Sequence, residues 1–172
     1  MNTLKTLRAL SLIAPLGIAG MAQADIAIRF DEGAPKDRFT LTNTGACAIT
    51  DTALTLDLGS AQGKLIFDVT AQGAGVQVFQ PFELTAGGSA LTTTPQVTDG
   101  QSTLRLEIGT LPAQAAIAFT IDVDDTLGQR EITVAGAEIA GATVTLTQGD
   151  TTTTARFSAD ATATLPQPDC PV

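Results

Sequence analysis

The sequence predicts an all-β protein: a single-domain antiparallel β-sandwich, immunoglobulin-like or jelly-roll-like. Three observations carry that expectation. Apolar and polar residues alternate with a period of two wherever the chain is regular, the pattern of strands with one buried face. Glycines and an Asp-Gly pair punctuate these runs at short intervals. No segment repeats apolar residues at helical spacing, so no helix is on hand to cover a sheet, and two sheets must cover each other.

Taken in order, Ile26, Ile28 and Phe30 alternate with Ala27 and Arg29. After a turn through residues 31–36, Phe39 and Leu41 alternate with Thr40 and Thr42, completing a first pair of strands. Leu54, Leu56 and Leu58 point one way and Thr55 and Asp57 the other. The denser apolar run Leu65 to Val69 reads as a strand buried on both faces, with Gly73 and Gly75 separating it from Val76, Val78 and Phe79. Residues 87–89 and 95–101 read as loops. Leu104, Leu106 and Ile108 resume the alternation with Arg105 and Glu107 facing water, and residues 109–114 are expected to turn the chain. Ile117, Phe119, Ile121 and Val123 form the clearest strand, whose outer face carries Thr120, Asp122 and Asp124. Ile132 with Val134, Val144 with Leu146, and the stretch Thr151 to Phe157 supply the last strands. The phenylalanines fall mostly in the inward phase and are assigned to the core. The Thr151 to Thr154 run suits an edge strand, although hydroxyl-rich faces also recognise ordered polar surfaces.

Residues 1–24 read as a signal peptide: Lys5 and Arg8 precede the apolar run Ala9 to Gly20, and Ala22-Gln23-Ala24 supplies a small-residue exit. The apolar run is too short to span a bilayer, and no second segment is long enough. Cleavage after Ala24 gives a periplasmic or secreted protein with no membrane insertion, divided into a sandwich domain at 25–165 and a proline-rich tail at 166–172. Removing 24 residues from 172 leaves 148, with 7 basic against 18 acidic residues and a net charge of −11. Nucleic acid and anionic membrane surfaces both demand a basic face, so neither is an expected partner. An outer-membrane barrel of this length would need aromatic girdles of Tyr and Trp, and the chain has neither.

Cys47 and Cys170 are expected to pair in an oxidising compartment, pinning the tail. In the loop-entropy model, closing so long a loop is worth up to about 4 to 5 kcal/mol. An intermolecular bridge through the tail is the alternative.

The chain contains no His, Trp or Tyr. A serine or cysteine nucleophile therefore lacks its usual base, and zinc lacks one of its preferred ligands. Two carboxylates suffice for glycoside hydrolysis, but no Trp or Tyr is present to stack on sugar rings. The chain is accordingly not expected to be an enzyme, with a carboxylate glycoside hydrolase as the distant alternative. The one constellation with ligand chemistry is Asp122-Val123-Asp124-Asp125-Thr126-Leu127-Gly128. Two carboxylates two apart share one strand face, and Asp125 can add a third oxygen from the following loop. Asp122, Asp124 and Asp125 are thus the candidate metal ligands, with calcium, a hard cation that takes six to eight oxygens, as the candidate ion. Asp31 and Glu32 are the expected recruits, although duty in a hairpin turn explains them equally well. A solvated acidic strand end that deters edge-to-edge pairing explains the same residues without a metal.

The runs Glu32 to Phe39, Leu65 to Val69, Gly73 to Phe79 and Ile121 to Asp125 resemble a group of exported bacterial proteins labelled aggregation factor core proteins, after the core of the sponge aggregation factor. The resemblance covers roughly Ile26 to Leu146. It implies an adhesion-type, calcium-assisted extracellular role without naming a ligand residue. The expected function is therefore a non-enzymatic binding or adhesion protein of the cell exterior, whose partner is an envelope or extracellular protein or polysaccharide. A metal-free structural or accessory module of the periplasm is the alternative.

Overall fold

Strand pairing, rather than any helix, organises the chain. The structure, a computed structural model, describes residues 25–73, 80–127 and 134–166. The strands are β1 (Asp25–Asp31), β2 (Asp37–Asn43), β3 (Ile49–Asp57), β4 (Ile66–Phe67), β5 (Glu83–Ala86), β6 (Thr103–Leu111), β7 (Ala116–Ile121), β8 (Val123–Asp124), β9 (Thr143–Gln148), β10 (Thr151–Arg156) and β11 (Thr162–Pro166). They form a five-stranded sheet in the order β11-β1-β2-β7-β5, a four-stranded sheet in the order β10-β9-β3-β6, and a two-residue ribbon β4-β8. Every pairing among these strands is antiparallel. The protein is the all-β sandwich that the alternation predicts.

The period of two dictates which residues meet between the sheets. Ile26, Ile28 and Phe30 from β1, Phe39 and Leu41 from β2, and Ile117, Phe119 and Ile121 from β7 supply one inner face. Leu54 and Leu56 from β3, Leu104, Leu106 and Ile108 from β6, and Val144 and Leu146 from β9 supply the other. Four phenylalanines chain through this layer: the ring centroids of Phe30–Phe39, Phe39–Phe119 and Phe119–Phe82 lie 5.0, 5.2 and 5.0 Å apart. Spacings of that size suit stacked or tilted rings and add to the area they bury.

Several local expectations are corrected. The run at 65–69 is not a long strand; only Ile66 and Phe67 pair with β8, because the Phe67 backbone also bonds Gln101 O and Gly100 N at 2.9 Å and is drawn into a crossing of loops. Gly109 does not end its strand. β6 continues to Leu111, which is buried and paired with Ile49, and the turn follows at Pro112–Ala115. Residues 88–90 form a 3-10 turn after Gly87, whose φ of 73° and tight approach to the Ala116 carbonyl leave no room for a Cβ. Also unexpected are β5 and β11, two short strands at the outer edges of the five-stranded sheet. Pro166, expected in the tail, is the last residue of β11 opposite Asp25, a place at an edge where a missing N–H costs no ladder bond. The leader, Val76, Val78, Phe79, Ile132, Cys170 and the rest of the tail lie outside the described residues.

Candidate functional site

The strand expected to run unbroken from Ile117 to Val123 breaks at Asp122. β7 ends at Ile121 in the five-stranded sheet, and β8 departs to pair with β4. At the break, Asp122 N donates to Gln80 O at 3.1 Å and Val123 N donates to Asp37 Oδ2 at 3.1 Å. This shift of partner undoes the alternation: Asp122, Val123 and Asp124 are all buried, with Asp122 only 6% and Asp124 only 4% exposed. The expectation that Asp122 and Asp124 line a solvated outer face is therefore wrong, for the physical reason that the strand changes sheets between them and the surface.

Two further carboxylates join them. Asp37 opens β2 at 2% exposure; its Oδ1 accepts from Gly33 N at 3.1 Å while its Oδ2 holds Val123 N. Asp68 follows β4 at 1% exposure, and its N–H donates to Asp122 O at 3.1 Å, extending the β4–β8 ladder by one residue. Residues opposite each other in an antiparallel pair, and residues two apart on one strand, share a face. Asp68, Asp122 and Asp124 thus lie on one side of this ribbon. Both Asp68 side-chain oxygens are buried without a hydrogen-bond partner. Asp99 sits beside it, its Oδ1 accepting from Val69 N at 2.9 Å and Thr70 N at 3.1 Å.

Burying so many acids together moves their titration. Desolvation pushes Asp122 up to about 7, with Asp124, Asp37 and Asp68 adding repulsion. Asp37 also rises to about 7 through burial, with Asp124 and Glu32 pushing the same way and the Gly33 and Val123 amides holding it back. Asp68 rises to about 6 through burial, with a side-chain hydrogen bond to Asp99 and the charges of Asp124 and Asp99 pushing the same way and the Thr70 amide holding it back. Among the described residues no three carboxylates converge as a formed metal-ligand set.

Of the sequence-predicted ligands, Asp122 and Asp124 are brought into this cluster. Asp125 is half-buried, and its Oδ1 is engaged in a local turn with Leu127 N at 2.9 Å. Asp31 pairs instead with Arg29 on the surface, and Glu32 is exposed. Asp37 and Asp68 were missed, yet each left a signal. Asp37 occupies the inward phase of Phe39 and Leu41, and Asp68 interrupts an apolar run. Cys47 is not a free thiol, and its expected partner Cys170 lies outside the described residues.

A second feature lies on the outer face of the four-stranded sheet. Register places Thr154, Thr145, Thr55 and Arg105 in one row across β10, β9, β3 and β6. Neighbouring rows read Thr152, Thr147, Ala53, Glu107 and Arg156, Thr143, Asp57, Thr103. Oγ1 atoms of Thr145 and Thr154 are 3.0 Å apart, and those of Thr147 and Thr152 are 3.5 Å apart. Beside this face runs an open groove lined by Thr55, Thr94, Gln96, Gln101, Thr103 and Glu107 among others.

No protein-family model matches the chain, and no curated protein sequence does. Among solved structures, the chain is similar to the carbohydrate-binding module CBM3b from the cellulosomal cellobiohydrolase 9A of Clostridium thermocellum. Identity is 16%, the match covers 77% of this chain and 94% of that one, and the TM-score is 0.33. At that score the two sandwiches do not superpose closely enough to pair residues, and nothing about that module's binding transfers by position.

Proposed function

We propose that the protein is an exported, non-enzymatic binding module of the cell exterior, that its partner is a neutral polysaccharide of the envelope or matrix, and that calcium assists the contact. The threonine array on the four-stranded sheet carries this reading. Strand geometry repeats its hydroxyls about every 4.8 Å across the sheet and about every 6.7 Å along it, a spacing that suits a hydroxyl-rich polymer. The rows carry threonines with two Arg and two acids and no aromatic side chain, so a sugar chain on this face is held by hydrogen bonds alone and not by ring stacking. Each hydroxyl contact is weak, so useful affinity comes from several repeats or from several copies engaged at once.

The placement of the acids supports a role without turnover. The most perturbed carboxylates are 6% exposed or less, out of reach of a polymer, while Glu107 on the open face is engaged with Arg105. An adhesion-type role, as the aggregation-factor resemblance implies, requires only such a face plus a second contact elsewhere. The rival reading, a metal-free accessory module of the periplasm, is favoured by one observation: the buried acids do not converge as a ready-made ligand set.

Sedimentation with insoluble neutral polysaccharides tests the proposal. The wild type is expected to be depleted from solution in calcium, and Thr145→Lys and Thr55→Lys variants to remain in the supernatant. Equal depletion of wild type and both variants, or depletion only by proteins of an envelope extract, would overturn it.

A further inference from the structure

Among the described residues, only Asp68 has fully buried side-chain oxygens with no hydrogen-bond partner. Asn43, fully buried, donates from Nδ2 to the carbonyls of Cys47, Leu111 and Pro112 and accepts from Gly45 N. Thr52 Oγ1 donates to Thr50 O at 2.7 Å, and Asp37 accepts two backbone amides. Asp68 has no donor in good geometry on either oxygen, at 1% exposure, on the face it shares with Asp122 and Asp124. An isolated buried carboxylate costs several kcal/mol unless something neutralises it. The three ion pairs among the described residues, Arg29–Asp31, Lys36–Glu83 and Arg105–Glu107, supply no cation to Asp37, Asp68 or Asp122.

We infer that Asp68, Asp122, Asp124 and Asp37 are the side-chain donors of a divalent-cation site at the β7–β8 break. This deepens the calcium dependence proposed above by naming its ligands, replacing Asp125 with Asp37 and Asp68. The donors are all hard oxygens, which selects calcium over zinc. Asp68 leads the set because its oxygens have no other duty. Asp37 retains lone pairs beyond the two it spends on Gly33 and Val123, since an ionised carboxylate accepts about four hydrogen bonds. Because no three carboxylates yet converge, binding draws them together. The ion thereby ties the start of β2, the end of β4 and the β7–β8 junction, which come from three distant parts of the sequence.

Isothermal titration of the full exported chain with calcium chloride tests the site, together with thermal unfolding followed by far-ultraviolet circular dichroism, since the chain lacks Trp and Tyr. The expected result is one ion per chain and a midpoint raised by roughly 5 to 10 °C at a hundredfold excess over Kd. Asp68→Asn, which keeps the shape and removes the charge, should abolish both signals; Asp125→Asn should keep both. If Asp68→Asn does not fold, Asp122→Asn makes the same test. No heat and no shift in wild type, or a wild-type response from the folded Asp68 or Asp122 variant, overturns the site. The outcome is separable from the polysaccharide reading. Ion binding without depletion by any polymer sinks that reading and leaves the site, whereas depletion that ignores chelator, with no midpoint shift, sinks the site alone.

Discussion

The two polar regions of this sandwich are built by opposite means. The threonine face is a regular ladder whose side chains obey the strand period and stand in water or in contact with one another. The acid cluster exists because a ladder fails: β7 stops, β8 changes partner, and side chains that period two would send outward are swallowed. The face holds little free energy per residue and can be altered cheaply. The cluster concentrates unfavourable charge at a crossing of three chain segments, so single atoms there decide stability.

The largest expected effect comes from Asp37. Replacing it with Ala removes the acceptor for two amides, Gly33 N and Val123 N, the second of them buried. An orphaned buried donor costs about 1 to 3 kcal/mol and the part-buried Gly33 amide less, while removing a desolvated carboxylate offsets some of the loss, so Asp37→Ala should destabilise by about 1 to 3 kcal/mol in urea unfolding. Asp37→Asn keeps one acceptor oxygen and should fall between it and wild type. An Ala variant as stable as wild type would remove the cluster's structural role.

Asp68 should respond with the opposite sign. Buried beside Asp99 with no donor in good geometry on either oxygen, it contributes mainly desolvation and repulsion in the absence of calcium, offset in part by the Thr70 amide. In chelator, Asp68→Asn is expected to leave stability unchanged or raise it by about 1 kcal/mol, because a charge that nothing balances has been removed. A larger fall in stability would mean the carboxylate has a favourable partner after all. Paired with Asp37→Ala, this measurement separates acids that hold the backbone from acids that await a cation.

A pH series in chelator tests the acid cluster as a whole. Asp37 and Asp122 titrate near 7 in the folded chain and Asp68 near 6, all raised by burial above the ordinary aspartate value of 3.8. Between 3.8 and those values the folded state holds more protons than the unfolded state. Stability from these groups is therefore full below about 3.8 and falls as pH rises from there through about 6 to 7, the reverse of the usual carboxylate. Urea midpoints should fall across that window, and Asp122→Asn should flatten the slope. A profile that rises from about pH 5 to 7 would show that the cluster does not hold its protons.

Most of the fold was legible because the sandwich sheets obey one rule. Residues such as Ile26, Ile28 and Phe30, or Leu104, Leu106 and Ile108, reveal their strands by alternation, and the structure buries them accordingly. β5 was not legible because it buries no side chain fully, and β11 was overlooked although Ala163 and Leu165 alternate with Thr162 and Thr164, because the alternation is short, half of it is alanine, and it runs into the proline-rich tail. Half of the acid cluster could be read: Asp122 and Asp124 are close in sequence, but their burial depends on a change of partner that no local pattern encodes. Asp37 and Asp68 come from elements 85 and 54 positions before Asp122, and only pairing brings them near. Their one local sign was an acid standing where an apolar residue fits.

The smallest expected effect on stability belongs to the threonine face, where the division between the two regions can be overturned directly. Thr145 is half-buried at the centre of a row, with its hydroxyl against Thr154 and its neighbours Thr55 and Thr154 at matching register. Thr145→Val keeps the β-branched shape and removes one hydroxyl, so unfolding should move by no more than about 0.5 kcal/mol. If the face is a binding surface, the same change should still weaken depletion by polysaccharide severalfold, because one hydrogen bond from a threonine hydroxyl to the polymer is worth about 1 kcal/mol. Stability unchanged and binding weakened would place energy and function in separate regions of the molecule. Stability and depletion both unchanged would leave the row as ordinary strand surface, and the search for a partner would turn to the edge of β10, which pairs on one side only, the outer edge of β6 being bridged by Leu91 and Thr92.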